Sequence, residues 1–115
     1  MMPYIDAKLS VKLDDSQKDE LQKKLSDAVS SAFGKPKAYI MANIEDSKSL
    51  FMSERKIEKG AYISVSLLGS ASKPSCQGLT RDICSILTSE YGLDGSGIYI
   101  TYHPTDLWGW NGSTF

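Results

Sequence analysis

The feature that most restricts the fold is a pattern that occurs twice: an alternating apolar run, an amphipathic stretch closed by glycine, and a second apolar run. In the first copy Tyr4, Ile5, Ala7, Leu9 and Val11 largely alternate with polar residues, the period of a strand with one buried face. Asp14-Asp15-Ser16 then offers N-cap oxygens, and Gln17 follows Asp14 at capping-box spacing. Leu21, Leu25, Ala28, Val29, Ala32 and Phe33 recur at helical spacing and form one apolar stripe. Gly34 suits the left-handed position that ends a helix, and Pro36 forbids its continuation. Residues 39–44 read as a second strand. In the second copy, residues 62–68 alternate and stop at Gly69, and a helix beginning at Pro74-Ser75 buries Leu79, Ile83, Ile86 and Leu87. Gly92 ends it, and residues 98–102 form the last long strand. The helix stops Gly34 and Gly92 lie 58 residues apart and the strand starts Tyr39 and Ile98 lie 59 apart, although residue identities do not repeat.

Each copy predicts a right-handed crossover with two parallel strands. Two βαβ units side by side give an α+β fold: a four-stranded mixed sheet with two helices on one face. A chain of 115 residues fits a single domain, 1–115. Leu9, Ile40, Val65, Leu67, Ile98 and Ile100 are more apolar strand positions than two short helices are expected to hide. The sequence-based expectation is therefore that the second sheet face is apolar and covered by self-association.

Charge narrows the partners. With 23% charged residues and a net charge of −1, the chain lacks the basic face that nucleic acid or an anionic membrane would require. Its one cationic cluster, Arg55-Lys56 with Lys59, is interrupted by Glu54 and Glu58 and reads as a solvated loop. No apolar run approaches the roughly 20 residues of a membrane span. Asp6, Lys8 and Lys12 rule out a signal-peptide core, so a cytoplasmic location is expected. Cys76 and Cys84 fall eight residues apart on one predicted helix, about 12 Å along its axis, too far for a disulfide. With a single histidine, His103, and two separated cysteines, no metal site is expected. His103 precedes Pro104 in a predicted loop and reads as structural or exposed.

Pro3 carries the chemical interest. A free N-terminal proline is a secondary amine, able to act as a general base if its surroundings depress its pKa. The plain alternative is that Pro3 opens an edge strand, where its missing N–H costs no ladder bond. Three other features accompany it: Lys35 held in the turn Gly34-Lys35-Pro36, a strand ending at Leu68-Gly69, and the tail Trp108-Gly109-Trp110-Asn111-Gly112-Ser113-Thr114-Phe115.

This combination resembles the macrophage migration inhibitory factor and D-dopachrome tautomerase family of the tautomerase superfamily. The resemblance spans the chain from Pro3 to Phe115 and is most specific at Pro3, Gly34-Lys35-Pro36 with Tyr39, Ile98-Tyr99-Ile100 and Trp110-Asn111-Gly112-Ser113-Thr114-Phe115. It implies a homotrimer whose sheets wrap into a barrel with inter-subunit active sites, and cofactor-free keto–enol tautomerisation of phenylpyruvate-like aromatic α-keto acids. By the same resemblance Pro3 is the base and Lys35, helped by the Leu68 N–H, binds the substrate's carboxylate or carbonyl side. Tyr99 of a neighbouring subunit would line the pocket, and Tyr4, Tyr39, Trp108, Trp110 and Phe115 would surround the substrate ring. Leaderless secretion is also within the family's range.

Each residue keeps a plain reading beside this one. Lys35 is a cation favoured at a helix C-terminus, Tyr99 a sheet residue, and the tail aromatics packing groups. Residues 51–57 replace a Phe-Gly-Gly-Ser-type loop with a longer, charged one. Thr101 stands where many animal members carry asparagine, and Gly60-Ala61-Tyr62-Ile63 replaces the Cys-x-x-Cys tied to thiol chemistry in some of them. Catalysis further requires that both Met1 and Met2 be absent from the mature chain. Met1 is poorly removed ahead of a bulky Met2, so the preferred reading is a natural chain that begins at Met2. The alternative is a catalytically weak or inactive trimer that serves as a signalling or interaction protein.

Overall fold

Why two crossovers close into one sheet is visible in the element order of the computed structural model, which describes residues 2–115. The first unit is β1 (Tyr4–Leu9), α1 (Asp15–Phe33), a 3₁₀ turn (Lys37–Tyr39) and β2 (Met41–Glu45). A small hairpin follows, β3 (Phe51–Met52) and β4 (Arg55–Lys56). The second unit is β5 (Ala61–Leu68), α2 (Lys73–Tyr91), a 3₁₀ turn (Gly95–Gly97) and β6 (Ile98–Thr105). A terminal hairpin, β7 (Gly109–Trp110) and β8 (Ser113–Thr114), ends the chain. The main sheet has the order β2-β1-β5-β6, with β1 parallel to β2, β5 parallel to β6, and the two units joined antiparallel through β1 and β5.

Local chemistry sets the helix ends. Asp14 accepts the Gln17 N–H at 2.8 Å, and the Gln17 side chain accepts the Asp14 N–H at 2.9 Å, which completes the capping box. Gly34 and Gly92 take φ of 64° and 71°, a region that costs an L-residue about 1–2 kcal/mol, so the glycines stop both helices where the repeat predicts. Ser72 caps α2, whose first residue is Lys73, one before the Pro74-Ser75 start read from the sequence.

The core lies between the helices and one face of the sheet. Ile5 and Leu9 of β1, Ile63 and Val65 of β5, Leu21 and Leu25 of α1, and Ile83 and Leu87 of α2 are wholly buried. Each such side chain contributes about 1.5–3 kcal/mol by leaving water. This arrangement overturns the expectation of a surplus of apolar strand residues. Leu9, Val65, Leu67 and Ile98 are buried, and Ile40 and Ile100 pack against the same core. Each helix is 19 residues long, about 28 Å, and two of that length cover the whole face. The opposite face has a polar middle, with Asp6 and Lys8 on β1, Asn43 and Glu45 on β2, Ser64 and Ser66 on β5, and Thr101 and His103 on β6, while Tyr4, Met41, Tyr62, Leu68 and Tyr99 lie on the same face towards the strand ends. There Asp6 accepts from Lys8 and, at 2.8 Å, from Asn43. Burial alone would raise the Asp6 pKa, but these hydrogen bonds outweigh it and hold the carboxyl below its ordinary value.

Three local expectations change. β2 begins at Met41 because residues 37–39 coil into the 3₁₀ turn after Pro36. β6 runs through His103 and Pro104 to Thr105, where a loop was expected. It is an edge strand, and the Gly69 N–H donates to Thr105 O at 2.9 Å, so the neighbouring Pro104 nitrogen points to the free edge and breaks no ladder bond. The charged stretch at 51–57 contains a hairpin with a two-residue turn, in which Ser53 (φ 52°) and Glu54 (φ 64°) take the left-handed conformations of type I′. Among the described residues no helix is long and apolar enough to cross a membrane.

Candidate active site

Pro3 precedes β1, and the strand fixes it. Its carbonyl accepts the Met41 N–H at 3.1 Å, and its ring is wholly buried within the subunit. It lines a cavity of about 970 Å³ that opens at the end of the sheet where Tyr4, Ser66 and His103 lie side by side in register. The walls are mainly apolar, with aromatic rings from Tyr4, from Tyr39 of the 3₁₀ turn and from Trp108 and Trp110 of the terminal segment set among aliphatic residues such as Ile40, Met41 and Leu107.

The terminal hairpin places these rings. Asn111 (φ 49°) and Gly112 (φ 84°) make a second type I′ turn, which pairs β7 with β8. The Phe115 N–H donates to Trp108 O at 2.8 Å and closes the hairpin. Trp110 meets Tyr39 edge to face, with centroids 6.0 Å apart and planes at 85°, and stacks on Phe115 at 6.4 Å and 27°. The Tyr4 hydroxyl donates to Asp6 Oδ1 at 3.4 Å; burial, then the Asp6 charge, raises its pKa and keeps the phenol neutral.

Of the residues singled out from the sequence, Pro3, Tyr4, Tyr39, Trp108 and Trp110 come together at this cavity, and Phe115 backs Trp110. Lys35 is outside the lining set of the single subunit. It is partly buried just after Gly34, with its N–H on Ser30 O at 3.3 Å and its carbonyl accepting from Ser30 Oγ at 2.5 Å. Leu68 ends β5; because Gly69 donates towards β6, the Leu68 N–H turns to the β1 side, and the β1–β5 register extended past Tyr4 puts it opposite Met2. Tyr99 is exposed at the far end of β6, four residues and about 13 Å from His103, away from the cavity of its own subunit.

His103 was set aside in the sequence, yet it lines the cavity. Its Nε2 shares a 2.9 Å hydrogen bond with Thr101 Oγ1, which in turn lies 2.7 Å from the Tyr62 hydroxyl. Continuing the alternation of Tyr99 and Thr101 through position 103 would have placed it there. Cys76 and Cys84 are thiols on α2 with pKa values raised by burial, away from the cavity. Among the described residues no group of three or more His, Cys, Asp or Glu side chains could hold a metal ion.

A proline at the head of the first strand, an aromatic cleft above it and paired βαβ units define a tautomerase-type subunit. The chain belongs to the macrophage migration inhibitory factor family of that superfamily: the family model described as macrophage migration inhibitory factor matches residues 2–115. It is 30% identical over 104 residues to the macrophage migration inhibitory factor of Xenopus tropicalis, covering 88% of this chain and 89% of that one. Among solved structures it is similar to the macrophage migration inhibitory factor-like protein of Entamoeba histolytica, with 25% identity, a TM-score of 0.89 and all of both chains covered. The macrophage migration inhibitory factor homologue of Prochlorococcus marinus gives 27% identity and a TM-score of 0.84, over 97% of this chain and 98% of that one.

Proposed function

We propose that this protein is a keto–enol tautomerase of phenylpyruvate-like aromatic α-keto acids, with Pro3 as its general base once Pro3 is the first residue. The observation that carries the reading is the wholly buried Pro3 facing an aromatic cavity large enough for a ring and its side chain. The reaction moves one proton between the carbon beside a carbonyl and the carbonyl oxygen, through an enolate. It needs a base of near-neutral pKa and a partner for the developing charge. An ordinary secondary amine is protonated at pH 7. Desolvation by the surrounding rings disfavours the cation, and a depression of about 2–3 units, roughly 3–4 kcal/mol, leaves a competent fraction neutral.

The proposal extends to a homotrimer in which three sheets form a barrel. The helix-free face, polar in its middle, would line its lumen, and the exposed Tyr99 of one subunit would complete the neighbour's cavity. Lys35, with the Leu68 N–H, would hold the substrate's carboxylate or carbonyl side. No cofactor takes part, and the expected location is cytoplasmic.

A second reading rests on Met2, which itself lines the cavity. While Met2 is present the Pro3 nitrogen is an amide and no base, and in that form the trimer is an interaction protein. The test is turnover of enol-phenylpyruvate by protein whose first residue has been read by intact mass. Pro3-initiated protein should turn over, and both Pro3→Gly and a Met2-retaining form should not. Normal rates in either variant contradict the mechanism.

A further inference from the structure

Both helices end on a left-handed glycine, yet only α1 ties the residue beyond that glycine with a side chain. Ser30 stands four residues before Gly34. Its carbonyl takes the N–H groups of Gly34 and of Lys35, the latter at 3.3 Å, and its hydroxyl donates to the Lys35 carbonyl at 2.5 Å. We infer that Ser30 is a positioning residue, which fixes the backbone from which Lys35 engages the carboxylate of the substrate. The inference rests on the reading of Lys35 as the anion anchor, and it names what holds that anchor in place.

Three observations support this role. First, the direction of the hydroxyl is unusual. A serine or threonine inside a helix commonly bonds back to a carbonyl one turn earlier. Thr88 and Ser89 of α2 do so, donating to Cys84 O at 2.8 Å and to Ser85 O at 2.6 Å. Thr88 occupies the place before Gly92 that Ser30 occupies before Gly34. Ser30 instead reaches forward, across the cap, to a residue outside the helix. Second, the residues beyond the two glycines are secured differently. Leu93 is 5% exposed and is held by the core. A lysine cannot be held in that way, because burying its charge is costly. The two hydrogen bonds to Ser30 do it instead, together with Pro36, which biases Lys35 towards extended backbone. Third, the tied segment runs into the cavity wall. Lys35 lies three residues, at most about 11 Å of chain, before Ala38, and Ala38, Tyr39, Ile40 and Met41 all line the cavity. An ion pair between Lys37 and Asp27 of α1, at 2.8 Å, secures the same segment further on. Without the Ser30 tie an arriving anion would have to order the turn as it binds, which weakens binding.

The experiment is a double-mutant cycle of Ser30→Ala and Lys35→Met in protein that begins at Pro3, read by equilibrium binding of the unreactive carboxylate phenylacetate. Lys35→Met should weaken binding about tenfold, the range for a hydrogen bond to a charged group. Ser30→Ala alone should weaken it about threefold, the scale of ordering one long side chain, and should add nothing in the Lys35→Met background. Ser30→Thr, which keeps the hydroxyl, should bind like wild type. Affinity for the uncharged isostere phenylacetamide should not change in Ser30→Ala, which separates positioning of Lys35 from a general loosening of the fold. Wild-type binding by Ser30→Ala, an equal loss for the amide, a Ser30→Thr as weak as Ser30→Ala, or a threefold loss that persists without Lys35 overturns the inference. Lys35→Met that binds phenylacetate as wild type does refutes the anchor reading and the Ser30 inference with it. A costly Lys35→Met beside a silent Ser30→Ala refutes the Ser30 inference alone.

Discussion

Replacing Trp110 by alanine probes the architecture of the cavity most sharply. Trp110 is 48% exposed, so it contributes about half of what a buried aromatic would. Truncation of a buried Phe or Trp costs about 3–5 kcal/mol, which gives roughly 1.5–2.5 kcal/mol here. The Tyr39 edge contact and the Phe115 stack add about 0.5–1.5 kcal/mol each beyond that burial, so about 2 kcal/mol is the least to be expected. For a chain of 115 residues a loss near 2 kcal/mol lowers Tm by about 8–12 °C, read by differential scanning calorimetry. If the ring also forms part of the substrate wall, KM for an aromatic keto acid should rise about five- to tenfold while kcat changes little, because Trp110 would supply binding rather than proton transfer. Trp110→Phe should recover most of both effects. An unchanged Tm and KM in Trp110→Ala would refute the proposal that this hairpin holds the cavity wall.

Acid stability should report Asp46, whose carboxyl accepts the Leu13 N–H at 2.9 Å and pairs with Lys18 at 3.0 Å, which holds its pKa well below the ordinary value of about 3.9. That stabilisation is complete above about pH 4 and is lost as pH falls through the lower folded value, so the gap in urea midpoint between wild type and Asp46→Asn should narrow below pH 4. Gly60→Ala should destabilise strongly, by about 1–3 kcal/mol or more, since a Cβ there would stand 2.4 Å from Ile57 Cγ2 and 2.6 Å from Gly97 O. A urea midpoint equal to wild type would contradict that close approach.

The legible part of the fold was the part written locally. Asp14 with Gln17, and Gly34 and Gly92, announce their caps by residue type alone, and the two stripes of α1 and α2 follow from spacing. What failed depends on tertiary placement. Pro104 is tolerated inside β6 only because that strand is the sheet edge, and no local signal says which strand will be outermost. The Ser53-Glu54 turn lacks the glycine or asparagine that marks type I′, so its hairpin was hidden in a charged run. Counting apolar strand residues misjudged the second face because the reach of two 19-residue helices was underestimated. At the site, Pro3 and the aromatic tail were readable. His103 was missed because the last strand was expected to stop at Tyr102, ahead of the His103-Pro104 pair, whereas β6 runs on to Thr105. Lys35 and Tyr99 were nominated by resemblance, and one subunit by itself leaves both outside the cavity lining.

The central claim concerns a proline nitrogen without an acyl group. Titrating tautomerase activity of protein that begins at Pro3 against pH should give a rising limb in kcat/KM with a midpoint near pH 6–7, about 2–3 units below a free secondary amine, and ¹⁵N-labelled Pro3 should titrate over the same interval. Activity that persists undiminished well below pH 5, or a Pro3 nitrogen still protonated above pH 9, would contradict the account.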